Sequence, residues 1–481
     1  MLNAVKQSTL LEQIKIHDDR KRGIFSLPRV LYCSVLTADL LLVGSGIILV
    51  WPSAVLPKLR SNDTEVNPIG RPITPVENST IMASSAVSAL LSFFLMAKLS
   101  DAIGRKMSMR VLAIVDTCIL TVLAFATNIY VYIVGFLMLG FVSSGVFINV
   151  AIYNSEISED KNRAWIGCVV GLMMPTGNLL GYIFGALLDN VRNYTLFCAL
   201  PAVLHILLSF FVVESPPYLV CKKKKSEALT ALEKLRKTKN FKDIEMEYRL
   251  MEEFNVSGDP KKQDTFAIFR CASARKALFL GFVLCTTQQL SGILIVMSYI
   301  VIIFNEAHAS LSGTTVSILF GIVHISIILV AAFIVNRFGR KPLILFSSLG
   351  CSISMIFLTI YFYMNDHNMP IVNSIRWIPI ACIMFFIVSY GMGLGPIPMV
   401  LIGELFRNDL RAVGVATITI AECLITIISQ FLYPLLTVSY GVYLSTAVYA
   451  VSTLIGFVLL LVLLPETRGK SFMEIQKILS K

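Results

Sequence analysis

The chain has 481 residues, 56% of them hydrophobic and 15% charged, with a mean hydropathy of +0.75 and a formal net charge of +11. A soluble domain of this size needs more polar surface than that. Apolar stretches of about 20 residues, the length a helix needs to cross a bilayer, recur along the chain, and no alternating pattern suggests a membrane barrel.

Residues 1–29 carry both charge signs and no short apolar segment ending in a cleavage site, which predicts a tail and not a signal peptide. Spans are predicted at 30–51, 81–97, 111–127, 130–151, 165–188 and 195–213, so that a first six-helix half covers 30–213. Residues 214–275 form a basic linker, whose "EALTALEKLRK" and "IEMEYRLMEEF" have helical spacing with a charged face. Further spans at 277–304, 314–335, 342–363, 378–401, 412–434 and 440–463 make a second half over 276–463, and 464–481 form a second tail. The expected fold is all-α: a polytopic membrane protein with twelve transmembrane helices in two pseudo-symmetric six-helix bundles.

With both termini in the cytoplasm, 36 of the 41 Lys and Arg fall inside and only Lys58, Arg60, Arg71, Arg192 and Arg376 fall outside. That asymmetry sets the orientation and accounts for the net charge without any nucleic-acid partner. Trp51, Trp165 and Trp377 fall at span ends, where interfacial anchors are expected. Of the sequons in outside loops, Asn62 is the expected glycan acceptor, whereas Asn78 and Asn193 lie close to span ends; Asn255 falls inside. The ten Cys are scattered, so no disulfide framework, metal site or cofactor is expected.

Three sequence pairs recur at nearly constant offset. "GRK" stands at 104–106 and at 339–341. "EISEDKNR" from Glu156 to Arg163 matches "ELFRNDLR" from Glu404 to Arg411. "VESPPYL" with Glu214 matches "LPETRGK" with Glu466. Their common order argues for a duplicated six-helix unit.

With "QQLSG" at 288–292, "NRFGRKP", "GPIP" at 395–398 and "PETRGKSF", these segments resemble the sugar porters of the major facilitator superfamily over about 30–475. A narrower likeness, carried by "VLPKLRSN", "NPIGRPITPVE" and "EISED", is to insect facilitated trehalose transporter-like proteins. The resemblance implies a cytoplasmic gate of ion pairs among Asp101, Arg105, Lys106, Glu156, Arg163, Arg340, Glu404 and Arg411, which breaks as the halves rock. Asn336 replaces the second acid, so the lock is expected to be asymmetric. Gln288 and Gln289 are the expected sugar contacts, since a carboxamide both donates and accepts hydrogen bonds. "GMGLGPIP" cannot be a regular helix throughout, and broken helices mark transporter sites.

Motif alignment also shows departures. The family's sugar-contacting amides fall on Gly171, Leu294, His324 and Glu422, its acidic position on Gly391 and its Trp on Met399. His324 and Glu422 are therefore expected in the substrate site as an imidazole–carboxylate pair. The Asp and Arg of proton-driven members fall on Gly44 or Ser45 and on Phe136; Asp39 and Asp116 are other intramembrane acids.

The expected activity is facilitative transport of a sugar, trehalose or a hexose, by alternating access. The alternatives are a proton-coupled symporter working through His324 and Glu422, and a non-transporting sugar sensor. No nucleophile–base set or phosphate loop supports an enzyme. The expected partners are a sugar and the lipid bilayer, with no nucleic acid, for a monomer in the cell membrane.

Overall fold

The computed structural model describes residues 29–236, 241–257, 272–406 and 410–466. The N-terminal tail, most of the C-terminal tail and the last part of the linker lie outside the described residues. The first half comprises α1 (Arg29–Leu59), α2 (Pro75–Ile103), α3 (Arg105–Ala124), α4 (Ile129–Ile157), α5 (Asp160–Leu187) and a sixth crossing divided into α6 (Val191–Cys198) and α7 (Leu200–Leu208). Between the halves stand α8 (Pro216–Cys221), α9 (Lys225–Arg236) and α10 (Phe241–Ser257). The second half opens with a divided crossing, α11 (Ala272–Gln289) and α12 (Ile293–Glu306), followed by α13 (Gly313–Phe338) and α14 (Arg340–Asp366). A further divided crossing, α15 (Ile378–Met392) and α16 (Ile397–Leu405), precedes α17 (Arg411–Tyr440) and α18 (Val442–Leu463).

Eleven segments among the described residues are long and apolar enough to cross a membrane. The remaining expected span, 81–97, is the middle of α2, whose 29 residues reach about 43 Å at 1.5 Å per residue. Large apolar side chains stand exposed on these helices, Phe333 at 77% and Val462 at 75%, as surfaces facing lipid tails require.

Close helix contact holds each half together. A Cβ on Gly177 of α5 would lie 2.1 Å from the Val43 carbonyl oxygen, and one on Gly46 of α1 would lie 2.2 Å from that of Met174. Only glycine allows α1 and α5 to approach so closely. The halves meet where α2 packs on α17, α5 on α13 and α12 on α1. The linker helices bury their own apolar cluster around Leu219, Leu232 and Tyr248. Arg236, whose side chain is 9% exposed, ties them to the first half through the Ile157 carbonyl at 2.8 Å and joins α9 to α10 through Glu247 at 2.9 Å.

One anchor is misplaced by sequence reasoning. α1 runs on to Leu59, so Trp51 lies inside the bundle, 1% exposed, and donates to Thr195 Oγ1 at 3.0 Å. Trp165 and Trp377 are exposed at helix ends. Asn62 is exposed; Asn78 is buried, as is the Thr195 of the Asn193 sequon.

Candidate functional site

The duplicated motifs converge on two clamps at the end of the molecule that carries most of the basic residues. In the first, Gly104 turns the chain from α2 into α3 at φ +96°, a conformation that suits glycine. The next two amides, of Arg105 and Lys106, donate to Glu214 Oε1 at 3.0 and 3.2 Å, so the carboxylate caps the start of α3. The Arg105 guanidinium grips Glu156 with two bonds, 3.0 and 2.9 Å, and reaches Asp101 at 2.8 Å. Ser215 adds a 2.5 Å bond to Glu156. Lys106 Nζ reaches the Phe210 carbonyl at 3.4 Å.

The second clamp repeats the first. Gly339 turns at φ +88°, and the amides of Arg340 and Lys341 donate to the two oxygens of Glu466 at 3.2 and 3.1 Å. Arg340 reaches Glu404 at 2.6 Å, and Lys341 Nζ reaches the Leu461 carbonyl at 3.1 Å. This clamp is looser: the Arg340 side chain is 28% exposed against 11% for Arg105, and Glu404 Oε2 meets no partner. The ion pairs Arg105–Asp101, Arg105–Glu156 and Arg340–Glu404 each join helices of a single half. Arg163 lies in the first turn of α5 and Arg411 opens α17.

The centre of the molecule holds the glutamines. α11 ends at Gln289, and Gly292 at φ +89° starts α12 on a new axis. Gln288 Nε2 donates to the Leu394 carbonyl at 2.7 Å, inside the break between α15 and α16. That break follows from its residues. Gly393 sits so close to α14 that a Cβ would lie 2.3 Å from the Leu343 carbonyl oxygen, and Pro396 lacks the N–H a continuous helix needs. Gln289 Nε2 donates to Glu422 Oε1 at 2.6 Å, while its own Oε1 is buried without a partner. Both glutamines thus stand where two broken crossings and α17 meet.

The expected pairing of His324 with Glu422 is not present. Glu422 is engaged by Gln289, and His324, 7% exposed, has its Nδ1 unpartnered and its ring 6.1 Å from that of Phe320. Gln289 wins because its amide nitrogen is a donor on the adjoining helix, within reach of the carboxylate. At Gly171, which is exposed, an added Cβ would meet nothing within 4 Å. The Phe136 ring packs tilted against that of Trp51, 4.9 Å between centroids, and Asp39 accepts from Asn154 at 2.7 Å, both buried.

At the opposite end the halves are joined through α12. Tyr299 donates to Asn78 Oδ1 at 3.2 Å and Tyr182 to the Met297 carbonyl at 2.9 Å. The Val301 amide lies 3.5 Å from Ser53 Oγ, and Arg60 lies 3.8 Å from Glu306. Sequence reasoning missed this seal, as it missed the capping role of Glu214 and Glu466. The caps had a readable signal in their matched offset; the seal had none beyond scattered Tyr and Asn in apolar runs.

The family model described as "Sugar (and other) transporter" matches residues 53–479. The "Probable metabolite transport protein CsbC" of Bacillus subtilis is 28% identical over 414 residues, 85% of this chain and 88% of that protein. The "Facilitated trehalose transporter Tret1-2 homolog" of Drosophila simulans is 24% identical over 379 residues, 79% of this chain and 77% of its own length. Among solved structures, the inward open conformation of the xylose transporter XylE from E. coli superposes with a TM-score of 0.77 at 18% identity, covering 93% of this chain and 99% of that one. The fold is therefore the one XylE has. Given a match over most of its length, its two six-helix halves and their repeated clamps, the chain belongs to the sugar (and other) transporter family.

Proposed function

We propose that this multi-pass membrane protein is a facilitative sugar transporter working by alternating access, with its basic end in the cytoplasm and its monomer in the cell membrane. The family is one of transporters and not of enzymes. The observation that carries the reading is the placing of Gln288 and Gln289 at the junction of two broken crossings, between halves that are joined at one end through polar and apolar contacts of α12. Neutral amides suit a neutral polyol, and broken helices let a site change its access without unpairing backbone in lipid. Relatives named as trehalose and glucose transporters support sugar as the cargo class. Gly171, where the resemblance puts a sugar-contacting amide, favours a cargo larger than one hexose ring.

The clamps are the stiffening parts of this machine. Each fixes the cytoplasmic ends of its own half, so that the halves rock as rigid bodies about the α2–α17 and α5–α13 contacts. Asn62 lies on the outer loop as the glycan acceptor. Passive transport is favoured over proton coupling because Gly44 or Ser45 and Phe136, which is buried against Trp51, stand at the positions where the resemblance puts the charged pair of proton-driven members, and Glu422 is engaged by Gln289 and not by His324. Radiotracer uptake of trehalose, glucose and xylose in cells lacking their own sugar transport tests the proposal. Saturable uptake of at least one supports it, and uptake of none at full surface expression refutes it.

A further inference from the structure

The break between α15 and α16 leaves Leu394, 0% exposed, without its helical partners. In a continuous helix its N–H would donate to the carbonyl four residues back. That carbonyl, of Tyr390, accepts instead from the amides of Gly393 at 3.3 Å and Gly395 at 2.9 Å. The Leu394 carbonyl would accept from residue 398, which is Pro398 and has no N–H. Buried backbone groups need partners, and side chains of two other helices supply them. Ser347 of α14, also 0% exposed, accepts from the Leu394 amide at 2.9 Å, and Gln288 of α11 donates to the Leu394 carbonyl at 2.7 Å.

The repeat supplies a comparison within the same chain. Ser347 stands eight residues after the turning Gly339, and the residue eight after Gly104 is Leu112. Gly393 stands eleven residues before Glu404, and the residue eleven before Glu156 is Gly145. In both halves the glycine lies against that neighbour. An added Cβ would come within 2.7 Å of Ser347 Cβ from Gly393, and within 3.3 Å of Leu112 Cδ2 from Gly145. The helix that meets the leucine, α4, runs unbroken from Ile129 to Ile157, whereas the crossing that meets the serine is divided. The hydroxyl accompanies the break.

We propose that Ser347 is a positioning residue of the transport site: it pins the break through the Leu394 amide, and so holds the Leu394 carbonyl where it fixes the orientation of the Gln288 carboxamide. The proposal rests on the sugar-transport reading and adds to it a residue on α14, away from the expected cargo contacts. A sugar hydroxyl that binds Gln288 competes with the Leu394 carbonyl for the same amide hydrogens. Because a hydroxyl both donates and accepts, it can also take the place of Gln288 at that carbonyl. Ser347 keeps Leu394 in place during that exchange, and Gln288 returns to one orientation when the cargo leaves. Without the pin, the cargo itself must order Gln288, and binding weakens by the free energy of that ordering.

The test measures half-saturation for uptake of trehalose and glucose in the wild type, in Ser347→Ala, in Gln288→Leu and in the double variant. Ser348→Ala is the control: Ser348 is equally buried, but its hydroxyl donates within α14, to the Ile344 carbonyl at 2.9 Å. Ser347→Ala should raise half-saturation about two- to tenfold, the effect of freeing one long side chain, and should add nothing to Gln288→Leu. Unchanged half-saturation in Ser347→Ala, equal losses in both serine variants, or effects of Ser347→Ala and Gln288→Leu that simply multiply would overturn the proposal. A second readout needs no sugar. Amide hydrogen exchange at Leu394, in the purified protein in lipid vesicles, should be roughly fivefold faster or more in Ser347→Ala and as in the wild type in Ser348→Ala. Exchange at Leu394 that Ser347→Ala leaves unchanged contradicts the pin whether or not sugar moves. Wild type that moves neither sugar, with exchange at Leu394 still hastened by Ser347→Ala, would sink the transport reading and the role of Ser347 in transport, and leave the hydrogen bond as a purely structural one.

Discussion

Gln289 donates a 2.6 Å hydrogen bond to Glu422, joining α11 to α17 across the floor of the proposed site. The bond assigns the amide nitrogen to the protein and leaves the amide oxygen for the cargo. Gln289→Leu loses that acceptor and strands the carboxylate. Affinity for the transported sugar should fall five- to a hundredfold, about 1–3 kcal/mol, at normal surface expression. Unchanged uptake in the Gln288→Leu, Gln289→Leu double variant would remove these residues from the site.

Glu422→Gln keeps a hydrogen-bonding partner for Gln289 and deletes the charge. Passive uptake should persist and widen toward hexoses, because an amide restores the donor that the family keeps at this position. A competition series of hexoses against the best wild-type cargo reads this. Abolished uptake at normal expression would mean that the carboxylate itself is required.

The two clamps differ in burial, and their variants should differ in cost. Arg105→Met strands Glu156 next to Ser215 in a site where the arginine is 11% exposed, and should approach the roughly 3–5 kcal/mol typical of breaking a buried pair. Arg340→Met acts on a pair exposed by 28% and 26% and should cost less. Thermal unfolding of the purified proteins in one detergent ranks them. Equal losses would show that the asymmetry has no energetic weight. Glu404→Lys should also loosen the cytoplasmic end of the second half, raising the labelling of introduced cysteines there from the cytosol.

Glycine at the clamp turns is required on two counts that can be separated. Gly70 has φ +76° with nothing within 4 Å of an added Cβ, so Gly70→Ala carries only backbone strain, about 1–2 kcal/mol. In Gly104→Ala the same strain meets Glu214 Oε2 at 2.6 Å, and in Gly339→Ala Glu466 Oε2 at 2.9 Å. Both should lose more than Gly70→Ala, with Gly104→Ala the worse, in the same melting assay.

At the start of α2, Thr74 and Glu77 cap the helix reciprocally and Arg71 pairs with Glu77. The hydrogen bond from Arg71 holds the Glu77 carboxyl at about 2, well below the ordinary 4.5. A depressed carboxylate contributes its stability above the unfolded value and loses it as pH falls through the folded one. The stabilising effect of Glu77 over Glu77→Gln should thus be complete above about pH 4.5 and vanish toward pH 2. Melting curves of both proteins across that window check it.

The residues that could be read from sequence were those used twice. Apolar length gave the crossings, and the recurring Gly-Arg-Lys, Glu156 with Glu404, and Glu214 with Glu466 gave the repeat, because each clamp needs the same parts. One helix break was legible because the Gly-Pro run around Pro396 has no other use in a helix. What stayed hidden depends on which helices face each other. Trp51 looked interfacial because its neighbours on α4 and α6 are more than 80 residues away in the chain. The His324–Glu422 pairing failed for the same reason: which donor reaches a carboxylate is decided by helices far apart in the chain, here by Gln289 on α11.

The central claim is passive sugar movement by alternating access. Its most direct measurement is tracer sugar uptake by the purified protein in sealed lipid vesicles, with and without an inward proton gradient at constant external pH. The account predicts saturable uptake that ends at equal concentrations inside and outside in both cases, with counterflow when the vesicles are preloaded with unlabelled sugar. Accumulation above the external concentration under the gradient, lost in Glu422→Gln, would contradict it and make the protein a proton-coupled symporter.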